Sequence, residues 1–115
     1  MRVLIVDDDP RIRELLKQTL AGHADEFFEA ADGAQAVALY ETCRPDWVLM
    51  DLAMKPVNGL EATARIRAGH PQARVVMVSQ YDEPEVRAAA LRAGALAFVS
   101  KEDLAPLLSL LRVHT

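Results

Sequence analysis

Five short strand-like runs, four of them apolar and the second marked only by a pair of phenylalanines, punctuate the chain at nearly even intervals, and that spacing constrains the fold more than any single motif does. They are Val3 to Val6, Asp25 to Ala30 around Phe27 and Phe28, Asp46 to Asp51, Arg74 to Ser79, and Leu96 to Ser100. Each has the length of a strand, and each gives way to turn residues and then to helical spacing. Asp9 can cap a first helix that begins at Pro10, because proline's missing N–H is not needed there. Ile12, Leu15, Leu16, Thr19 and Leu20 then recur at helical spacing, and Gly22 supplies a stop. Ala31-Asp32-Gly33 leads into a helix through about Cys43, with Ala36, Val37 and Tyr40 inward and Arg44-Pro45 at its end. The third helix runs from Leu60 to about Ala68, after a loop to Asn58-Gly59 and before Gly69 and Pro71. The fourth runs from Pro84 to Ala93 and ends at Gly94. The fifth follows Lys101-Glu102-Asp103, reaches about Val113, and turns Leu104, Leu107, Leu108 and Leu111 inward. Strand–helix units that recur every roughly 21 to 28 residues predict a five-stranded parallel α/β sheet, with right-handed crossovers and helices on both faces.

A chain of 115 residues suits one domain, and 51% hydrophobic residues suffice for its core. A single cysteine, Cys43, leaves no intrachain disulfide framework and fits a reducing compartment. The net charge of −4 argues against a nucleic-acid-binding surface within these residues. No run approaches the roughly 18 apolar residues of a membrane span, and too few apolar residues precede Asp7 for a signal peptide. The expectation is a soluble cytoplasmic domain with no membrane partner.

In a parallel sheet all strands point their carboxyl ends to one edge, where ligands gather. That edge collects Asp7 and Asp8, then Asp51, Ser79 and Lys101. Any one of these is an ordinary turn or surface residue; together, from four strands, they make a site. Three acids against one lysine leave −2 in a small cleft, which raises carboxylate pKa values or recruits a cation. A hard divalent ion with oxygen ligands, Mg²⁺, suits two carboxylates and a loop carbonyl. Cys43, His23, His70 and His114 have no zinc-ligand spacing. Such a site could hold a phosphoryl group, with Asp51 as nucleophile, Lys101 and the metal balancing its oxygens, and Ser79 donating a hydrogen bond.

Leu4-Ile5-Val6-Asp7-Asp8-Asp9-Pro10, Leu49-Met50-Asp51-Leu52-Ala53-Met54, Asn58-Gly59-Leu60-Glu61-Ala62, Val78-Ser79 and Gly94 to Lys101 stand in an order that resembles a response-regulator receiver domain of bacterial two-component signalling. The resemblance covers essentially the whole chain and implies the (βα)5 flavodoxin-like fold. It implies that Asp51 accepts a phosphoryl group from a sensor histidine kinase. It further implies that Asp7, Asp8, Asp51 and the backbone carbonyl of Ala53 hold Mg²⁺. Ser79 and Lys101 match the site's hydroxyl and lysine, and Phe98 matches the aromatic switch. Asp9 falls one place past the acidic pair and is kept as a helix cap. The pattern departs from the family at Lys55, where proline is commonest, with Pro56 one place late. It departs also at Gln80, where a small residue is common, and at Phe98, which lacks the usual tyrosine hydroxyl.

The stretches Asn58 to Thr63 and Ser79 to Asp82 resemble regulators with a LuxR-type (NarL/FixJ-like) helix-turn-helix output. The expected organisation is a receiver over residues 1–115, with any DNA-binding output domain beyond it, transcription regulation as its role, and homodimerisation on phosphorylation. Such a domain is a switch rather than an enzyme. Two rivals remain: a docking module that works without phosphate, and a small phosphohydrolase. The first predicts no Mg²⁺ response, which Trp47, on the same strand as Asp51, is expected to report. The second usually has an acid two residues after its nucleophile, where this chain has Ala53.

Overall fold

The computed structural model describes residues 1–113, so His114 lies outside the described residues. Its strands are β1 (Arg2–Val6), β2 (Glu26–Ala30), β3 (Trp47–Met50), β4 (Val75–Ser79) and β5 (Ala97–Ser100), all parallel, in the spatial order β2-β1-β3-β4-β5. The helices between and after them are α1 (Pro10–Thr19), α2 (Gly33–Cys43), α3 (Gly59–Gly69), α4 (Pro84–Ala93) and α5 (Ala105–Val113). Element order and bounds follow the sequence expectation to within one or two residues. No helix among the described residues is long and apolar enough to cross a membrane.

Alternation along each strand divides the interior into two cores, because successive side chains point to opposite faces. Val3, Ile5, Trp47, Leu49, Val76, Val78 and Val99 face α1 and α5, where Leu16, Leu20, Leu107 and Leu111 meet them. Leu4, Val6, Val48, Met50, Val75 and Met77 face the other three helices, through Ala36 and Tyr40 of α2, Ala62 and Ile66 of α3, and Ala90 of α4. Each fully buried leucine of this kind contributes about 1.5–3 kcal/mol. Leu15 departs from expectation. Its spacing fits the helical pattern, yet it is 43% exposed, because Leu16 and Leu20 already fill the contact with the sheet.

The caps are local chemistry. Asp9, Asp32 and Asn58 each accept a hydrogen bond from a backbone N–H in the first turn of α1, α2 and α3, which satisfies donors a helix start leaves unpaired. Gly94 closes α4 at φ 110°, a left-handed conformation that glycine adopts without penalty.

Thr63 of α3 is fully buried, and its hydroxyl has no hydrogen-bond partner among the described residues. Thr63→Val keeps the shape and removes that hydroxyl, so stability should rise by about 1 kcal/mol, read as a higher denaturant midpoint at unchanged slope.

Candidate metal and phosphoacceptor site

Register brings the acids together. Val6 of β1 lies opposite Met50 of β3, so the next residues, Asp7 and Asp51, leave these neighbouring strands side by side. Both continue the ladder: the Asp51 N–H donates to the Val6 carbonyl at 2.9 Å and the Asp7 N–H to the Ala30 carbonyl at 3.1 Å. On the other flank the Lys101 N–H donates to the Ser79 carbonyl at 2.9 Å, carrying the β4–β5 pairing one step further. The site therefore sits on the rigid end of the sheet at its topological switch point.

Asp7, Asp8 and Asp51 place carboxylate oxygens within 4.8 Å of one another, the one such grouping of potential metal ligands among the described residues. Asp7 and Asp51 are buried, at 1% and 6% exposure, whereas Asp8 is exposed. Lys101 bridges the buried pair, with Nζ 2.8 Å from Asp7 Oδ2 and 2.9 Å from Asp51 Oδ1. Burial pushes the Asp51 carboxyl above the usual aspartate range; the Lys101 hydrogen bond opposes this, and the Asp7 charge adds to it. For Lys101 burial pulls downward, but hydrogen bonds to Asp7 and Asp51 together outweigh it, so the ammonium is held above its ordinary value.

These residues open into a cleft of about 320 Å³ lined by Asp7, Asp8, Asp9, Ile12, Asp51, Ala53, Gln80, Tyr81 and Lys101. An all-oxygen set of three converging carboxylates fits a hard divalent ion such as Mg²⁺ and offers none of the sulfur or imidazole that zinc prefers.

A sequence model of the response regulator receiver domain matches residues 3–112. The chain belongs to this family. Receivers are signalling switches, and phosphorylation and Mg²⁺ binding at the acidic pocket are general to them. The receiver is 43% identical over 105 residues to protein-glutamate methylesterase/protein-glutamine glutaminase 3 of Anaeromyxobacter dehalogenans, an alignment covering 88% of this chain and 30% of that protein. It spans 49% or less of the length of several curated relatives it matches. Among solved structures, a two-component response regulator of the LuxR family from Aurantimonas sp. SI85-9A1 superposes with a TM-score of 0.90 at 32% identity, covering 98% of this chain and 83% of that one. A CheX-CheY-BeF3-Mg complex from Borrelia burgdorferi gives a TM-score of 0.85 at 28% identity, covering 100% of this chain and 90% of the other.

The five residues expected at the sheet edge are all placed there, but Ser79 does not line the cleft. It is 1% exposed and its Oγ accepts a hydrogen bond from the Tyr81 N–H at 3.0 Å, which ties down the loop after β4. Phe98 is half-buried against the α2–α3–α4 core, with the Arg87 guanidinium stacked 4.7 Å above its ring. Asp9 caps α1 as expected; its hydrogen bonds with Arg11 hold its carboxyl below the usual range. Gln80 borders the cleft. Lys55 is exposed and lines an adjoining recess with Asp8, Ala53 and Met54, and its bond to Pro56 is cis.

Sequence reasoning missed how the loop between Asp51 and α3 is held. The Gly59 N–H donates to the Leu52 carbonyl and the Gly33 N–H to the Val57 carbonyl, at 2.9 and 3.0 Å. Two helix starts thus grip the loop at both ends. It also missed Arg13, which reaches back past the start of α1 to the Asp7 carbonyl at 2.7 Å.

Proposed function

We propose that the receiver is a phosphorylation-driven switch in which Asp51 takes a phosphoryl group from the phosphohistidine of a sensor histidine kinase. The observation that carries this reading is the buried Asp51 carboxylate, held 2.9 Å from Lys101 among two further acids. An Asp51 oxygen forms the new O–P bond as the P–N bond breaks, and the imidazole nitrogen leaves with the electron pair. Asp7, Asp8, Asp51 and the carbonyl of Ala53 would hold Mg²⁺, which supplies positive charge against the phosphoryl oxygens. Lys101 would pair with a phosphoryl oxygen in place of Asp51. Ser79, whose Oγ already accepts from the Tyr81 N–H, would donate its own hydroxyl proton to that group, drawing the β4–α4 loop inward, and Phe98 would follow. The surface of α4, β5 and α5 would thereby change for a partner or output domain.

In this reading the receiver works in the cytoplasm and regulates transcription through a LuxR-type output domain. The structural likeness to a LuxR-family regulator supports that output. The identity to a methylesterase favours a catalytic output instead. DNA contact would belong to the output domain, given the net charge of −4 here, and phosphorylation would favour a homodimer.

Incubation with acetyl phosphate and Mg²⁺ should add the mass of one phosphoryl group to the native chain. Asp51→Asn should abolish the addition, and chelation of Mg²⁺ should suppress it. An intact-mass spectrum without any addition to the native chain would end the phosphoacceptor reading in favour of a phosphate-independent docking module.

A further inference from the structure

We infer that Arg13 is a positioning residue of the metal site: it fixes the Asp7–Asp8 peptide and so sets the direction in which Asp8 offers its carboxylate. The inference rests on the Mg²⁺ reading of the acidic pocket. Of the three acids, Asp8 is the exposed one, and its side chain makes no hydrogen bond to a described residue. The position from which it reaches the pocket is therefore set by its backbone. That backbone is held at the Asp7 carbonyl, where Arg13 Nη1 donates at 2.7 Å, and by the Asp9 N–H, which donates to Asp7 Oδ1 at 2.9 Å. A peptide unit is planar, so pinning the Asp7 carbonyl fixes the Asp8 N–H and Cα in the same plane.

Arg13 is itself held. Its Nε donates to Glu29 Oε1 of β2 at 2.9 Å, and Lys17 Nζ lies 3.1 Å from the other Glu29 oxygen. Arg13 is mostly buried, with 19% of its side chain exposed, so the fork works on a short leash between β2 and the acidic loop. The guanidinium suits this because it donates in two directions from one plane, which an ammonium cannot do with fixed geometry.

Charge and geometry predict opposite outcomes. If Arg13 acted only as a nearby cation, its removal would make the pocket more negative and tighten Mg²⁺ binding. If it positions Asp8, removal weakens binding despite the lost positive charge. Residues that orient metal ligands in this way typically alter affinity by about 10–100-fold.

The test is calorimetric titration of the folded chain with MgCl₂, without phosphodonor. Arg13→Ala should raise the dissociation constant about tenfold, and Arg13→Lys, which keeps the charge but not the fork, should fall between it and the native chain. An unchanged or tighter constant in Arg13→Ala would overturn the inference; should that variant not fold, the same result in Arg13→Lys would do so. Absence of Mg²⁺ binding by the native chain would instead overturn the metal reading, and this inference with it.

Discussion

Gly59→Ala should lower the melting temperature by about 12 °C, on the basis of about 3 kcal/mol for a severe overpacking and about 4 °C for each kcal/mol in a domain of this size. A Cβ at this position would lie 1.9 Å from the Asp51 carbonyl oxygen and 2.8 Å from its carbon. Both are backbone atoms of the buried edge, so no side chain can swing aside to relieve the contact. Either α3 moves outward or the backbone at Asp51 shifts. In the second case the Asp51 carboxylate is displaced, and if Asp51 is the phosphoacceptor as proposed, phosphorylation by acetyl phosphate should slow as well. Gly69, at the other end of the same helix, is the control. Its added Cβ meets nothing within 4 Å, so Gly69→Ala should be neutral or stabilising by up to about 1 kcal/mol. Thermal melts of the two variants side by side would separate close approach from the general effect of glycine in a helix.

Asp51→Asn should stabilise the domain at neutral pH even as it abolishes phosphorylation. Burial and the Asp7 charge hold the folded Asp51 carboxyl above its ordinary value, against the pull of Lys101. The folded state therefore keeps this proton to higher pH than the unfolded chain, and the carboxylate costs stability progressively as pH rises from about 3.9, the unfolded value, through the folded one. Asparagine fills the same space without the charge, and Lys101 retains Asp7 at 2.8 Å. The variant's advantage should be small at the acid end, widen as pH rises across that window, and then stay constant. A gain of about 1 kcal/mol would appear as about 4 °C in melting temperature. A variant no more stable than the native chain at neutral pH would mean that Lys101 compensates the buried charge fully. Added Mg²⁺ should narrow the gap, because only the native chain keeps all three acids.

The fold was legible because most units carry their own periodicity, with apolar runs in β1, β3, β4 and β5, only Phe27 and Phe28 marking β2 between glutamates, and caps in place at Asp9, Asp32 and Asn58. The site was legible for a related reason: parallel strands deliver their last residues to one edge, so Asp7, Asp51, Ser79 and Lys101 could be gathered without knowing the strand order. What could not be read depends on angles and separations that spacing does not encode. Ser79 was placed at the edge but not seen to be engaged with the Tyr81 N–H. The approach of Gly33 and Gly59 to the backbone of the Asp51 loop has no signature beyond the presence of glycine. Arg13, one turn past the cap at Asp9, could have been found from helical geometry alone. Trp47 shares a strand with Asp51, but that does not make it a reporter on the metal. It stands at the opposite end of β3, fully buried beneath the Arg74 guanidinium, roughly 13 Å away at about 3.3 Å per residue. Direct quenching by events at Asp51 is not expected at that separation, so calorimetry is the better probe.

The division of the interior into two cores has a consequence for how the molecule can change. Phe98 packs with the α2–α3–α4 core, while Leu107 and Leu111 of α5 belong to the α1–α5 core on the far side of the sheet. Side chains separated by a sheet share few partners, so substitutions in the two cores should combine additively. Adaptation on one side can then proceed by small independent steps without retuning the aromatic on the other. A single continuous core would have made those two histories one.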